Sequence, residues 1–159
     1  MIQIRWFLII IVAITAIVLF SACGQPQAET GNAPMPTATN GPVTLEVAAT
    51  SYHTNDTISV TLKNQETQTI YFIDHLTNCT VLLLQRQVNG NWIDVNICES
   101  SGHSTWHTLD AGQTLNVKLT PPPNSSWSTG LYRATLSYRL GQEYTALTAI
   151  YSAGFQVIS

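Results

Sequence analysis

The sequence predicts an all-β fold, a sandwich or barrel of roughly seven or eight short antiparallel strands. Three observations carry that expectation. From residue 43 onward, apolar side chains recur at every second position, the period of a half-buried strand. Turn-forming clusters interrupt these runs at intervals of about 8–12 residues. No window of a dozen residues in this stretch repeats its apolar positions at helical spacing.

In chain order, Val43, Leu45, Val47 and Ala49 alternate with Thr44, Glu46 and Ala48. The cluster His53-Thr54-Asn55-Asp56 then predicts a turn. Ile58, Val60 and Leu62 alternate with Ser59, Thr61 and Lys63, and Asn64–Gln68 predicts the next turn. Further strand-like runs are Thr69–His75, Thr80–Val88, Asn91–Cys98, Thr114–Thr120, Leu131–Arg139 and Phe155–Ile158. The stretch SGHSTWHTLDAG reads as loop followed by extended chain, and Pro121–Ser126 reads as a turn cluster.

The sharpest local signal is Asn89-Gly90, a pair that tolerates the positive φ values of a type I′ hairpin turn. Opposing Val88 with Asn91 fixes the register: Leu84 faces Val95 and Leu82 faces Ile97, with Ile93 on the same core face. Trp92 falls on the other face with Asp94 and Asn96. Val81 then opposes Cys98, and Cys79 is its diagonal neighbour, within bridging reach if the strand end bulges.

Residues 1–23 are a different kind of segment. Arg5 and the amino terminus supply positive charge, Trp6–Phe20 is apolar except for Thr15, and Ser21-Ala22 precede Cys23. This arrangement resembles a lipoprotein signal peptide, which implies diacylation of the Cys23 sulfur and a mature chain beginning there. The alternative is an uncleaved anchor, since Ile2–Cys23, about 22 residues, is long enough to cross a bilayer. Either way Arg5 keeps the N-terminus inside and the remainder outside the cytoplasmic membrane. Residues 24–42, with four prolines and three glycines, read as a flexible, disordered linker. Residues 43–159 read as one domain. In an oxidising compartment the two cysteines other than Cys23 form an even set, so a Cys79–Cys98 disulfide is expected.

Composition removes several functions. Hydrophobic residues make up 45% of the chain and charged residues only 9%. Setting Arg5 aside leaves five Lys and Arg against nine Asp and Glu, too few cations to neutralise a run of phosphates, so no nucleic-acid partner is expected. There is no Gly-x-Ser-x-Gly elbow and no glycine-rich phosphate loop. His103 and His107 are four apart on non-helical chain, which does not bring them to metal-ligand separation; no metal and no cofactor are expected.

The segments SYHTNDTISVTLKN, IYF, LLLQRQVNGNWIDV, LDAGQT, GLYRATLSY and FQVIS resemble the small bacterial immunoglobulin-like domains of exported proteins. More distantly they are similar to the β-sandwich of intracellular proteinase inhibitors. The resemblance implies an immunoglobulin-like sandwich over 43–158, a turn at Leu109–Gly112 leading into a strand, and a tyrosine corner at Tyr132. The antibody pattern of two cysteines around a central tryptophan is absent.

These readings together lead to an expected non-enzymatic module, lipid-anchored at Cys23 on the extracytoplasmic face of a cell membrane. It is expected to bind an unidentified protein or envelope polysaccharide. The expected contact surface is the pair of loops 99–108 and 121–129, carrying Trp106, His107, Pro122 and Trp127; the alternative for the two tryptophans is that they fold back as lids on the ends of the sandwich. Two other expectations stand beside it: proteinase inhibition by a rigid Pro121–Trp127 loop, and carbohydrate binding by Trp106 and Trp127.

Overall fold

The computed structural model describes residues 35–75, 81–95, 104–141 and 146–159. They contain eleven strands in two sheets and no helix, a sandwich-like architecture compatible with an immunoglobulin-like domain. The signal segment, Cys23, Cys79 and Cys98 lie outside the described residues.

The smaller sheet has the order β1 (Val43–Val47), β3 (Ile58–Asn64), β8 (Thr114–Leu119), all antiparallel. Its alternation is the one the sequence shows. Val43, Leu45, Ile58, Val60, Leu62, Val117 and Leu119 point inward and are buried, aligned by pairs such as Ile58 with Leu119 and Leu45 with Leu62. The outer face is polar: Thr61 Oγ1 donates to Asn116 Oδ1 (2.8 Å) and Lys63 Nζ to Glu46 Oε1 (2.7 Å).

The larger sheet is organised by β9 (Gly130–Leu140), the longest strand. Along one edge β9 pairs with β11 (Phe155–Ile158) and β10 (Thr148–Tyr151), and along the other with β5 (Leu83–Val88) and β4 (Ile70–His75). Outside these lie β2 (Ser51–His53), parallel to β11; β7 (Ser104–Leu109), antiparallel to β4; and β6 (Asn91–Val95), antiparallel to β5. Between β10 and β11 the ladder is interrupted at the buried Ser152. Its hydroxyl accepts from Ala134 N (2.9 Å) and donates to Ala153 O (2.7 Å), while its own N–H donates to Ala134 O (2.9 Å). One side chain thus replaces a missing ladder partner, as burial of backbone polar groups requires.

The hairpin has the expected register, Val88 opposite Asn91 and Leu84 opposite Val95, with Asn89 at φ 51° and Gly90 at φ 81°. Leu82 and Leu84 are fully buried. Ile93 is not: it is 50% exposed, contrary to its expected place in the core. Among the described residues β6 makes its ladder with β5 alone, at the margin of the larger sheet, where alternation does not guarantee a covering layer. β2, β7 and β10 complete the count beyond the seven or eight expected strands.

The C-terminal part of the expected linker also departs from expectation. Thr39 N donates to Tyr151 O (3.0 Å), Tyr151 N to Thr39 Oγ1 (2.9 Å), and Gly154 N to Pro36 O (2.9 Å). Gly154 permits this approach, since a Cβ there would lie 2.5 Å from Pro36 Cδ. Residues 36–39 are therefore a strap on the domain, and residues 24–34 lie outside the described residues.

Tyr132 meets the tyrosine-corner expectation geometrically: it is buried and its hydroxyl donates to Ser128 O, four residues upstream, at 2.7 Å. Its ring stacks on Phe155 (5.9 Å between centroids), which meets Tyr52 edge-on (5.5 Å). Burial pushes the Tyr132 phenol above its ordinary value, against the opposing charge of Arg86, and burial raises Tyr138 too. The unfolded chain therefore loses these protons near pH 10 while the folded chain still holds them. Stability from the neutral phenols is present below about pH 10 and falls as pH rises through the folded values. Tyr132→Phe is expected to lower the urea midpoint at pH 7 through loss of the hydroxyl's hydrogen bonds to Ser128 O and with Arg86, about 1–2 kcal/mol. Its midpoint should then fall less steeply than wild type as pH rises above about 10.

Candidate binding surfaces

Among the described residues two concave regions stand out, one on the inner side of the hairpin and one on the outer face of the larger sheet. The expected contact residues distribute between them unevenly.

Trp127 closes one end of the sandwich and is only 2% exposed. Its Nε1–H donates to Asp56 O (2.9 Å) and its backbone N–H to Thr54 O (2.8 Å), so the ring docks into the turn after β2. That turn forms as expected, with His53 N donating to Asp56 Oδ2 (2.7 Å) and Asp56 N to His53 O (3.1 Å). Trp127 therefore folds back as a lid on the end of the sandwich and offers no open stacking face: a large apolar ring whose one polar group finds a carbonyl acceptor gains most by burial. The preceding loop is compact as well, because Ser125 donates to Pro122 O from both its N–H (3.1 Å) and its Oγ (2.8 Å). Pro122 is exposed.

Trp106 and His107 lie on β7, not in a loop. Strand alternation sends them to opposite faces. His107 is half-buried and stacks on the core residue Phe72 (6.2 Å, 16°), so it does not present a contact surface. Trp106 is 44% exposed on the outer face. Since Trp127 is buried, the two tryptophans do not form a joint platform. His103 and the Cys79–Cys98 pair lie outside the described residues. Among the described residues no three His, Cys, Asp or Glu side chains gather as a metal site would require.

The first concavity is a cleft of about 350 Å³ between the β5–β6 hairpin and the 122–128 loop. Arg86, Val88, Ile93 and Val95 line it from the hairpin, and Pro122 and Trp127 from the loop. Sequence reasoning missed Arg86, yet Leu82, Leu84, Arg86 and Val88 share one face of β5, and a cation ending an inward-facing apolar row is a readable signal.

The second concavity is a dimple of about 180 Å³ on the outer face of the larger sheet, lined by Ile73, Leu83, Thr135, Ser137 and Leu147 among others. Stacked arginines flank it. The Arg133 guanidinium lies between the rings of Trp92 (4.3 Å) and Tyr151 (3.8 Å), and Arg133 Nε donates to Gln85 Oε1 (2.8 Å). Burial lowers the proton affinity of Arg133, though an arginine stays charged at any physiological pH. On the other flank Arg139 covers Trp106 at 3.9 Å. Leu147 is 52% exposed beside the dimple. The outward face of an antiparallel sheet is ordinarily polar, so this apolar centre with cation–π margins is a departure in need of a cause.

Neither a protein-family model nor a curated protein matches this sequence.

Proposed function

We propose that the chain is a non-enzymatic, membrane-tethered binding module on the extracytoplasmic side of a cell membrane. Its partner is a protein held on the outer face of the larger sheet. The observation that carries this reading is the dimple flanked by Trp92–Arg133–Tyr151 and Trp106–Arg139. Trp, Tyr and Arg around a small apolar pocket are the residues that dominate protein–protein contacts. A polysaccharide partner is less well served, because sugar stacking needs open ring faces and a guanidinium already covers one face of each ring. The tether follows from the lipoprotein-like segment ending at Cys23.

A photo-crosslinking residue placed at Trp106 or at Leu147 of the full chain in its own cells tests both parts. One adduct of the same mass is expected from both positions, and none from Lys118, exposed on the opposite sheet. Cys23→Ser is expected to abolish palmitate labelling and to weaken the adducts. Equal crosslinking from both sheets, or none, overturns the surface; undiminished palmitate overturns the tether.

A further inference from the structure

The cleft behind the hairpin has a chemistry of its own. Arg86 extends from β5 on the side where Leu82 and Leu84 are fully buried. Its stem passes over Gly130, where a Cβ would lie 3.5 Å from Arg86 Cδ. Its guanidinium hydrogen-bonds the Tyr132 hydroxyl. That leaves most of five donors for something else. Among the described residues no carboxylate forms an ion pair with it. Asp94 also borders the cleft, but its carboxylate accepts from Gln85 Nε2 (2.8 Å) on the opposite face of the hairpin. Arg86 is half-buried, and a cation partly withdrawn from water favours a counter-charge.

Opposite Arg86 in the register is Ile93, a large apolar side chain exposed on what should be a core face. With Val95 and Pro122 it gives the cleft an apolar wall. The volume, about 350 Å³, is at the small end for ligand sites, about 300–1,000 Å³. One planar fork matches one carboxylate in charge and geometry. A phosphate dianion would call for a second cation, and Arg86 is the only one lining the cleft among the described residues.

We propose that this cleft binds an apolar residue bearing a free carboxylate, with Arg86 gripping the carboxylate and Ile93, Val95 and Pro122 enclosing the apolar body. The carboxylate comes either from a small acylated amino acid or from the C-terminus of a peptide. This site is separate from the outer face and stands or falls without it.

The test titrates the detergent-solubilised full chain, with Ile and Val methyls labelled for NMR. The probes are N-acetyl-leucine, its amide, and a hexapeptide ending in free leucine. Saturable shifts of the Ile93 and Val95 methyls are expected with N-acetyl-leucine, and the amide should bind about tenfold more weakly for want of one charge-assisted pair. Arg86→Gln should erase the preference for acid over amide. Ile93→Ala, at an exposed position, should weaken both probes alike and serves if Arg86→Gln fails to fold. A hexapeptide tighter than the free acid identifies a peptide terminus as the ligand, and equal affinity identifies the small acid. Equal binding of acid and amide, or no shift of either methyl, overturns the proposal.

Discussion

Replacing Trp127 by alanine is expected to destabilise the domain by about 3–5 kcal/mol, the range for removing a fully buried large aromatic. Two losses add. The ring's apolar area returns to water while the end of the sandwich holds a void. The Asp56 carbonyl also loses its Nε1–H partner, and the turn after β2 loses its clamp. A domain of this size has a total stability of about 5–15 kcal/mol, so the melting temperature should fall by roughly 10–20 °C. Trp127→Phe separates the terms: it keeps most of the packing and drops the hydrogen bond, with an expected cost of about 1–2 kcal/mol. Thermal melts of both variants decide it. A shift of only a degree or two for the alanine variant would mean that the ring does not close the core.

Asn64→Ala is the second large effect, for a different reason. Asn64 ends β3 and is 1% exposed. Its Nδ2 donates to Leu109 O (2.9 Å) and Gln68 O (3.0 Å), and its Oδ1 accepts from Glu66 N (3.0 Å). Its backbone closes the next turn as well, with Asn64 N donating to Gln113 O (3.0 Å) and Gly112 N to Asn64 O (2.8 Å). One amide thereby ties the β3–β4 connection to the β7–β8 turn. Truncation leaves two carbonyls and an N–H without side-chain partners, at an expected cost of about 2–4 kcal/mol. Asn64→Asp is nearly isosteric but replaces two donors with a buried charge. Burial raises that carboxyl's pKa, so the variant should be worse than alanine at pH 7 and recover as pH falls and the group becomes neutral. Urea unfolding at pH 7 and about pH 4 reads out both trends. A loss of stability in Asn64→Asp that does not change with pH would show the site to be wetter than its burial implies.

Much of the framework was legible because one strand and its neighbours state their own period. The inward rows of β1, β3 and β8 are plain alternation, and Asn89-Gly90 set the hairpin's register without outside help. What escaped is non-local. β7 carries His107 on its inward face, and only its ladder with β4 makes STWHTL a strand. β10 has a single buried residue, Ile150, and gains its identity from the far half of β9. Trp127 reads as a loop residue until a turn 71 positions away supplies its hydrogen-bond acceptor. Ile93 failed in the other direction: alternation assigned it a core face, but alternation does not say whether a second layer covers that face. For the same reason, the Arg133 and Arg139 stacks needed three strands in place before their rings met.

The strap at residues 36–39 has a mechanical consequence. Thr39 and Pro36 are bonded to Tyr151 and Gly154, at the junction of β10 and β11. A pull from the N-terminal side therefore reaches the C-terminal strands before it reaches β1. The load enters beside Ser152 and passes to β9, the strand with the most neighbours. Held by only a few hydrogen bonds, the strap is expected to give way first under such a load, ahead of the sheet ladders. The same segment marks where the domain begins as a mechanical body: a chain cut at residue 43 would lack its shock absorber and leave the niche over Gly154 open.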